Sequence, residues 1–290
     1  MSRLTTWGVG GAAMLGLLGY AIGVEPYLIE TVHLEMYAPR LPLAFDGYVI
    51  YQVSDLHMHQ MGRRERTLER LLSKMPPADL VAVTGDMVHT PAGIEPFLHL
   101  ARSFQARDGA YAIFGNSEHK NGVRPYALSQ TLAANGIPPL MNRHVLLTRG
   151  ESQIALAGVD DPVNEMDRLG DALEGIPDDL FTLLLMHSPD GIAEAVVRGV
   201  DVVLAGHTHG GQIRLPWYGA LYTHSHLGKR MSDGYYGRDR LRKAIGLRPG
   251  RTQLYVTRGL GVSGLALRFL TRPELTVITL RRGLPHVKRA

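Results

Sequence analysis

The chain contains no cysteine, which excludes disulfides and thiolate chemistry. Any metal it binds has to be held by His, Asp, Glu, Asn or water. It has no internal repeat, no twin arginine near its start and no recognisable nucleic-acid-binding module, so nucleic acid is not an expected partner. It also lacks a strong charge bias, the formal net charge being +4 over 290 residues. Apolar residues at 45% and charged residues at 20% are ordinary for a globular protein and ample for a large core. The length allows one large domain or two small ones. The basic charge that does exist is concentrated: Lys229, Arg230, Arg238, Arg240, Arg242, Lys243, Arg248 and Arg251 stand against only Asp233 and Asp239, and Arg281, Arg282, Lys288 and Arg289 follow near the end. Such a patch suits anionic lipid headgroups or a phosphorylated substrate, or it is a solvated loop.

Residues 4–24 carry no charge. A helix rising about 1.5 Å per residue over that length just crosses a hydrocarbon core of about 30 Å. Trp7 and Tyr20 lie near its ends, where interfacial aromatics sit. The segment reads as a transmembrane anchor or as a signal peptide cleaved near Ala21-Ile22-Gly23. Arg3 before it and Glu25, Glu30 and Glu35 after it put the main domain on the extracytoplasmic side. Residues 25–40 read as a linker and first strand, 41–282 as the main domain and 283–290 as a basic tail.

Within the domain, short apolar runs end abruptly in polar clusters. YVIYQV (48–53) runs into Ser54-Asp55-Leu56-His57, LVAV (80–83) into Thr84-Gly85-Asp86, and AYAIF (110–114) into Gly115-Asn116. FTLLLM (181–186) ends at His187, and DVVLA (201–205) at Gly206-His207-Thr208-His209. Continuous apolar runs bounded by turn residues predict strands buried on both faces. Helical spacing lies between them: Leu68, Leu71, Leu72 and Met75 recur at i, i+3, i+4 and i+7 until Pro76-Pro77. Ser188, Pro189 and Gly199 frame a second helix around Ile192, Ala195 and Val196. QLYV and ELTVITLRR then read as strands with no helix between them. The pattern is one α/β domain, with a mixed sheet or a pair of sheets.

In open α/β sheets, ligands collect where strands end at their carboxyl edge. Five predicted strand ends each deliver a His, Asp or Asn. Asp55 and His57 flank a residue turned away from them, and His207 and His209 repeat the arrangement. Two hard cations about 3.5–4 Å apart need a bridging carboxylate, for which Asp86 is the natural choice. Oxygen and imidazole donors suit Mn, Fe or Zn. A glycine pattern GxGxxG at Gly259, Gly261 and Gly264 follows a predicted strand. A dinucleotide site also needs a helix next, whereas Pro273 and a strand-like run follow, so that reading is rejected.

Together the motifs DLH (55–57), GD (85–86), GNSE (115–118), MH (186–187) and GHTH (206–209) resemble the calcineurin-like metallophosphoesterases. GVDDP (158–162), GHTHGGQIRLP (206–216) and RGLGVSGLALRF (258–269) are similar to that family's membrane-anchored or exported bacterial branch. The resemblance covers about residues 40–282. It implies two facing mixed β-sheets flanked by helices, after one N-terminal hydrophobic helix. It implies one cation on Asp55, His57, Asp86 and His209, and another on Asp86, Asn116, His187 and His207. The histidine that follows Asn in the family is Ser117 here, leaving His119 as the candidate at that position, with Asn116 and Glu118 matching. His89 stands where an aspartate is common. The implied reaction is hydrolysis of a phosphoester or pyrophosphate, possible substrates including a lipid-linked one, by a hydroxide bridging the cations. Arg258, after a predicted strand, is the candidate substrate contact. The alternative is a non-catalytic metal- or lipid-binding membrane protein on the same fold.

Overall fold

Each of the five apolar runs forms a strand covered on both faces. The computed structural model describes residues 14–289. In β2 (Tyr48–Val53), β3 (Leu80–Thr84) and β4 (Ala110–Ile113) the side chains alternate between two apolar cores. Leu80 and Ala82 point to a core shared with Leu183, Leu185, Val202 and Leu204 of the facing sheet. Val81 and Val83 point the other way, against Leu68, Leu72 and Phe97 of the outer helices. Successive residues of a strand face opposite sides, so a sheet packed on both faces needs apolar residues of both parities. The runs are unbroken for that reason.

Two six-stranded sheets result, beside a short hairpin of β9 (Arg214–Leu215) and β10 (Gly219–Ala220). The first has the order β14-β1-β13-β2-β3-β4, with β1 (Glu30–Ala38), β13 (Glu274–Arg282) and β14 (His286–Arg289). The second has the order β11-β12-β8-β7-β6-β5, built from β11 (Gly234–Tyr236), β12 (Gln253–Val256), β8 (Val202–Ala205), β7 (Thr182–Leu185), β6 (Ser152–Gly158) and β5 (Arg143–Arg149). Both sheets are mixed: β1 with β13, β2 with β3 and β3 with β4 are parallel in the first, and β6 with β7, β7 with β8 and β8 with β12 in the second. Helices 63–72, 94–101 and 125–134 flank the first sheet; 169–173, 192–197 and 238–245 flank the second. The expected pair of facing mixed sheets with flanking helices is present.

The chain ends are woven into the first sheet. β1 pairs in parallel with β13 over nine residues, Glu30↔Glu274 to Ala38↔Arg282, and β14 adds antiparallel to its other edge. The segment expected as a basic tail therefore contributes an edge strand. Residues 14–23 are helical, and the rest of the expected apolar span, residues 4–13, lies outside the described residues. Among the described residues no helix is long and apolar enough to cross a membrane. The described helix is fastened to the domain where it ends: Ala21 C=O accepts from Arg268 N–H at 2.9 Å, and the Glu25 carboxylate accepts from Leu270 and Thr271 N–H.

Candidate metal centre

The polar clusters after β2, β3, β7 and β8 meet at the carboxyl ends of the strands. Backbone bonds tie the loops together before any side chain does: Asp55 N–H donates to Gly85 C=O at 3.0 Å and His57 N–H to Asp86 C=O at 2.8 Å. Asp55, His57, Asp86, His207 and His209 all have positive φ, between 46° and 70°. A non-glycine residue in that region costs about 1–3 kcal/mol, and such strain concentrates at functional sites. Five at one place require the surrounding packing to hold them.

Two groups of buried donors result. Asp55, His57 and His209 offer ligand atoms within 4.8 Å of one another, and so do Asp86, His187 and His207. Asp86 links them: one carboxylate oxygen is 3.4 Å from His57 Nε2 and the other is 3.4 Å from His187 Nε2. His57 Nε2 and His209 Nε2 face each other at 3.1 Å, as do His207 Nδ1 and His187 Nε2 at 3.2 Å. Converging imidazole nitrogens are the arrangement a cation satisfies. Asn116 Oδ1 is buried with no hydrogen-bond partner, although a buried carbonyl oxygen left unpaired is costly. These observations fit divalent metal binding.

The electrostatics favour ligation. Burial pushes His57 and His207 down to about 4 and lowers His209 as well, so these rings are neutral at pH 7, the form that binds metal. His187 moves the other way, to about 10: burial works against its charge, but the neighbouring Asp86 carboxylate outweighs it. A cation binding there would replace that proton. His187 is oriented by its Nδ1, 2.8 Å from Thr84 C=O, which turns Nε2 toward Asp86.

Glycines leave the space. A Cβ on Gly115 would lie 2.6 Å from His187 Nε2 and would also fall against Asp86 Oδ1. Gly115→Ala should therefore weaken metal binding by about 10–100-fold, the scale on which disturbed ligand support is felt, although no ligand is removed. Competition with a metal indicator would measure this, and unchanged affinity would refute the packing argument.

Residues around the two groups take roles that the sequence did not disclose. Glu118 does not face the open site. Its buried carboxylate accepts from the N–H groups of Asp86, Val88 and Gly115 at 2.9–3.0 Å, so it braces two ligand loops. Ser117 Oγ is 3.1 Å from His57 Nδ1, and its N–H donates to Asp86 Oδ1 at 2.8 Å. His119 is turned to Asp160 at 2.7 Å. Arg258 is engaged by Glu274 at 2.5 Å and Glu30 at 3.0 Å, so its charge is spent on carboxylates rather than presented to a phosphate. Two glycines of the rejected GxGxxG serve packing: a Cβ on Gly259 would lie 2.6 Å from Asp55 Cβ, and one on Gly261 would meet Leu56 C=O at 2.5 Å. Arg268, fully buried, holds that loop through its backbone carbonyls. His224, its ring 6.1 Å from that of His207, joins the rim of the site. No predicted strand ends at it, so the His224-Ser225-His226 spacing had nothing to attach it to the site. A larger cleft, of about 530 Å³, lies at the opposite ends of the strands, beside Thr182 and Arg251. Its arginines Arg40 and Arg251 are tied to Asp201, and it holds no part of this cluster.

The His119–Asp160 pair sets a pH dependence. Burial opposes the charge on His119, but the Asp160 carboxylate prevails and raises its pKa above 6.5. A raised folded-state value means the pair's stabilisation is full below the unfolded pKa and is lost as pH rises through the folded one. Asp160→Asn should lower the His119 midpoint in an NMR titration and flatten the decline of Tm in that window. An unmoved midpoint would sink this assignment.

Facing mixed sheets with two carboxylate–imidazole groups at their strand ends define a metal-dependent phosphoesterase. The sequence profile of the calcineurin-like phosphoesterases matches residues 48–211, and the chain belongs to that family of hydrolases. It is similar to YkuE of Bacillus subtilis (strain 168), an uncharacterized metallophosphoesterase, with 34% identity over 94% of this chain and 95% of that one. It is also similar to the phosphodiesterase YaeI of Escherichia coli (strain K12), at 32% identity over 59% and 57% of the two chains. A transmembrane protein with metallophosphoesterase domain from Danio rerio is 27% identical over 93% of this chain and 61% of its own.

Proposed function

We propose that the protein hydrolyses a phosphoester or pyrophosphate bond at a dinuclear centre of Mn, Fe or Zn. Asp55, His57, Asp86 and His209 hold one cation; Asp86, Asn116, His187 and His207 hold the other. The observation that carries this reading is Asp86, whose two carboxylate oxygens each stand 3.4 Å from an imidazole of a different donor group. Divalent cations bound there supply a water of lowered pKa and offset charge on phosphoryl oxygens. The chain's own residues fix the geometry: Glu118 and Ser117 brace the loops, and Thr84 orients His187.

Protonating a leaving group falls to no obvious side chain. Ser117 faces His57, His119 faces Asp160 and Glu118 is enclosed by backbone donors. The enzyme then prefers good leaving groups, such as aryl phosphodiesters or pyrophosphates. The physiological substrate is a phosphorylated small molecule or a lipid-linked phosphate, the latter favoured by the apolar residues 4–24 and the basic stretch from Lys229 to Arg251. Residues 4–24 tether the domain to a membrane on its extracytoplasmic side, which protease accessibility in intact cells tests. Hydrolysis of bis(4-nitrophenyl) phosphate with added Mn²⁺, and metal analysis giving two equivalents, test the chemistry. The second reading, a metal-binding protein without turnover, draws on Ser117 in the histidine position; a sharp gain in Ser117→His from near-zero activity would favour it.

A further inference from the structure

An apolar cavity of about 260 Å³ opens directly beside the metal ligands. His209 lines it together with Ile213, Leu221, Tyr222, His224 and Leu265. We infer that it receives an alkyl chain carried by the phosphoester substrate, a deepening that rests on the cluster being the hydrolytic centre.

Three observations carry this. First, most of the lining is apolar, and the Gln212 amide within it is already engaged. The Gln212 side-chain amide donates to Ser263 C=O at 3.1 Å and Leu265 C=O at 2.7 Å, while its oxygen accepts from Ser263 N–H at 2.8 Å. A polar group entering there would lose water and gain little, whereas a methylene chain loses nothing. Second, a phosphate fixed by the donor groups has the cavity as its neighbour, because His209 is a donor of the first group and also lines the cavity. Third, apolar surface continues outward from the rim. Leu221 and Tyr222 follow the turn that displays Trp217, fully exposed at positive φ, and Leu265 and Leu270 stand exposed on the loop that fastens the helix at residues 14–23. That helix exposes Met14, Leu15, Leu17, Leu18 and Ile22. Exposed apolar side chains on the segments that line a ligand cavity favour an amphiphile over a free nucleotide or sugar phosphate.

The experiment compares 4-nitrophenyl methyl phosphate with 4-nitrophenyl octyl phosphate, both as monomers in Mn²⁺, on the full chain. Each methylene buried raises kcat/KM by up to about fourfold, as 0.8 kcal/mol per CH₂ converts to that factor. The octyl ester is expected to be preferred by well over tenfold, and Leu265→Asp to pull the ratio toward one. Val197→Asp, on the exposed face of the helix 192–197, serves as the control that keeps the ratio. If neither ester turns over, the proposed function fails. If both turn over equally, the cavity assignment fails alone. A preference that survives Leu265→Asp, or appears only when the octyl ester is embedded in phosphatidylglycerol vesicles, also overturns it, since the chain would then be recognised elsewhere or the membrane itself would do the recruiting.

Discussion

Asp86→Ala should lower turnover of an aryl phosphodiester in Mn²⁺ by more than about a hundredfold and reduce tightly bound metal from two equivalents to at most one. Losing a group that merely supports a ligand costs about 10–100-fold, and Asp86 is the proposed ligand to both cations, with a carboxylate oxygen 3.4 Å from an imidazole of each donor group. Its removal also leaves His187 without the carboxylate that raises its pKa to about 10, and leaves Ser117 N–H without its acceptor. The substitution is smaller than the residue it replaces and sits on a loop already braced by Glu118, so the fold should persist. Unaltered circular dichroism with full activity would end the two-cation proposal; two equivalents of metal with no activity would transfer the role of Asp86 from binding to orientation.

Arg268→Ala should lower Tm by on the order of 10 °C. The guanidinium is fully buried and donates to the carbonyls of Arg258, Gly259, Gly261 and Thr271, with no carboxylate in hydrogen-bond contact. Gly259 C=O keeps a bond from Glu274 N–H, but each of the other three carbonyls left unpaired costs about 1 kcal/mol or more, and the emptied volume adds a cavity term. A total of about 4 kcal/mol, at 2–4 °C per kcal/mol in a chain this large, gives that shift. Three of those carbonyls belong to the loop packed against Asp55, and Arg268 Nη2 also lies 3.4 Å from His209 Nδ1. Metal affinity should therefore fall together with Tm. Arg268→Lys retains the charge but lacks the fork of donors, and should be intermediate in both. A Tm within a degree or two of the parent would show that the loop holds without it.

Strand positions were legible because burial on both faces leaves a direct mark on sequence. The runs at 48–53, 80–83, 110–114, 181–186 and 201–205 coincide with β2, β3, β4, β7 and β8 to within a residue or two. The helix after Ser188 is present, its Oγ accepting from Asp190 N–H before the helix proper at Ile192–Val197. β14 left no such mark, and β1 was legible only as a first strand somewhere within residues 25–40. β1 draws its place from pairing with β13, some 240 residues away, and mixes exposed and buried positions. Pairing partners that distant are chosen by the whole sheet, not by local pattern.

By itself the sequence determined the chemistry of the donors: with cysteine absent, carboxylates, imidazoles and an amide at strand ends were the available metal ligands, and their motif spacing named the family. Only the tertiary structure decided which side chains converge and what their neighbours do. Glu118, His119 and Arg258 sit close in sequence to ligands or predicted strand ends, yet each is taken up by a partner far along the chain: the loop after β3, Asp160, and Glu274 with Glu30. Arg268, unremarkable as one basic residue among 31, became the support of the site through burial. A residue's type fixes what bonds it can make, whereas packing fixes which of them remain free for a substrate.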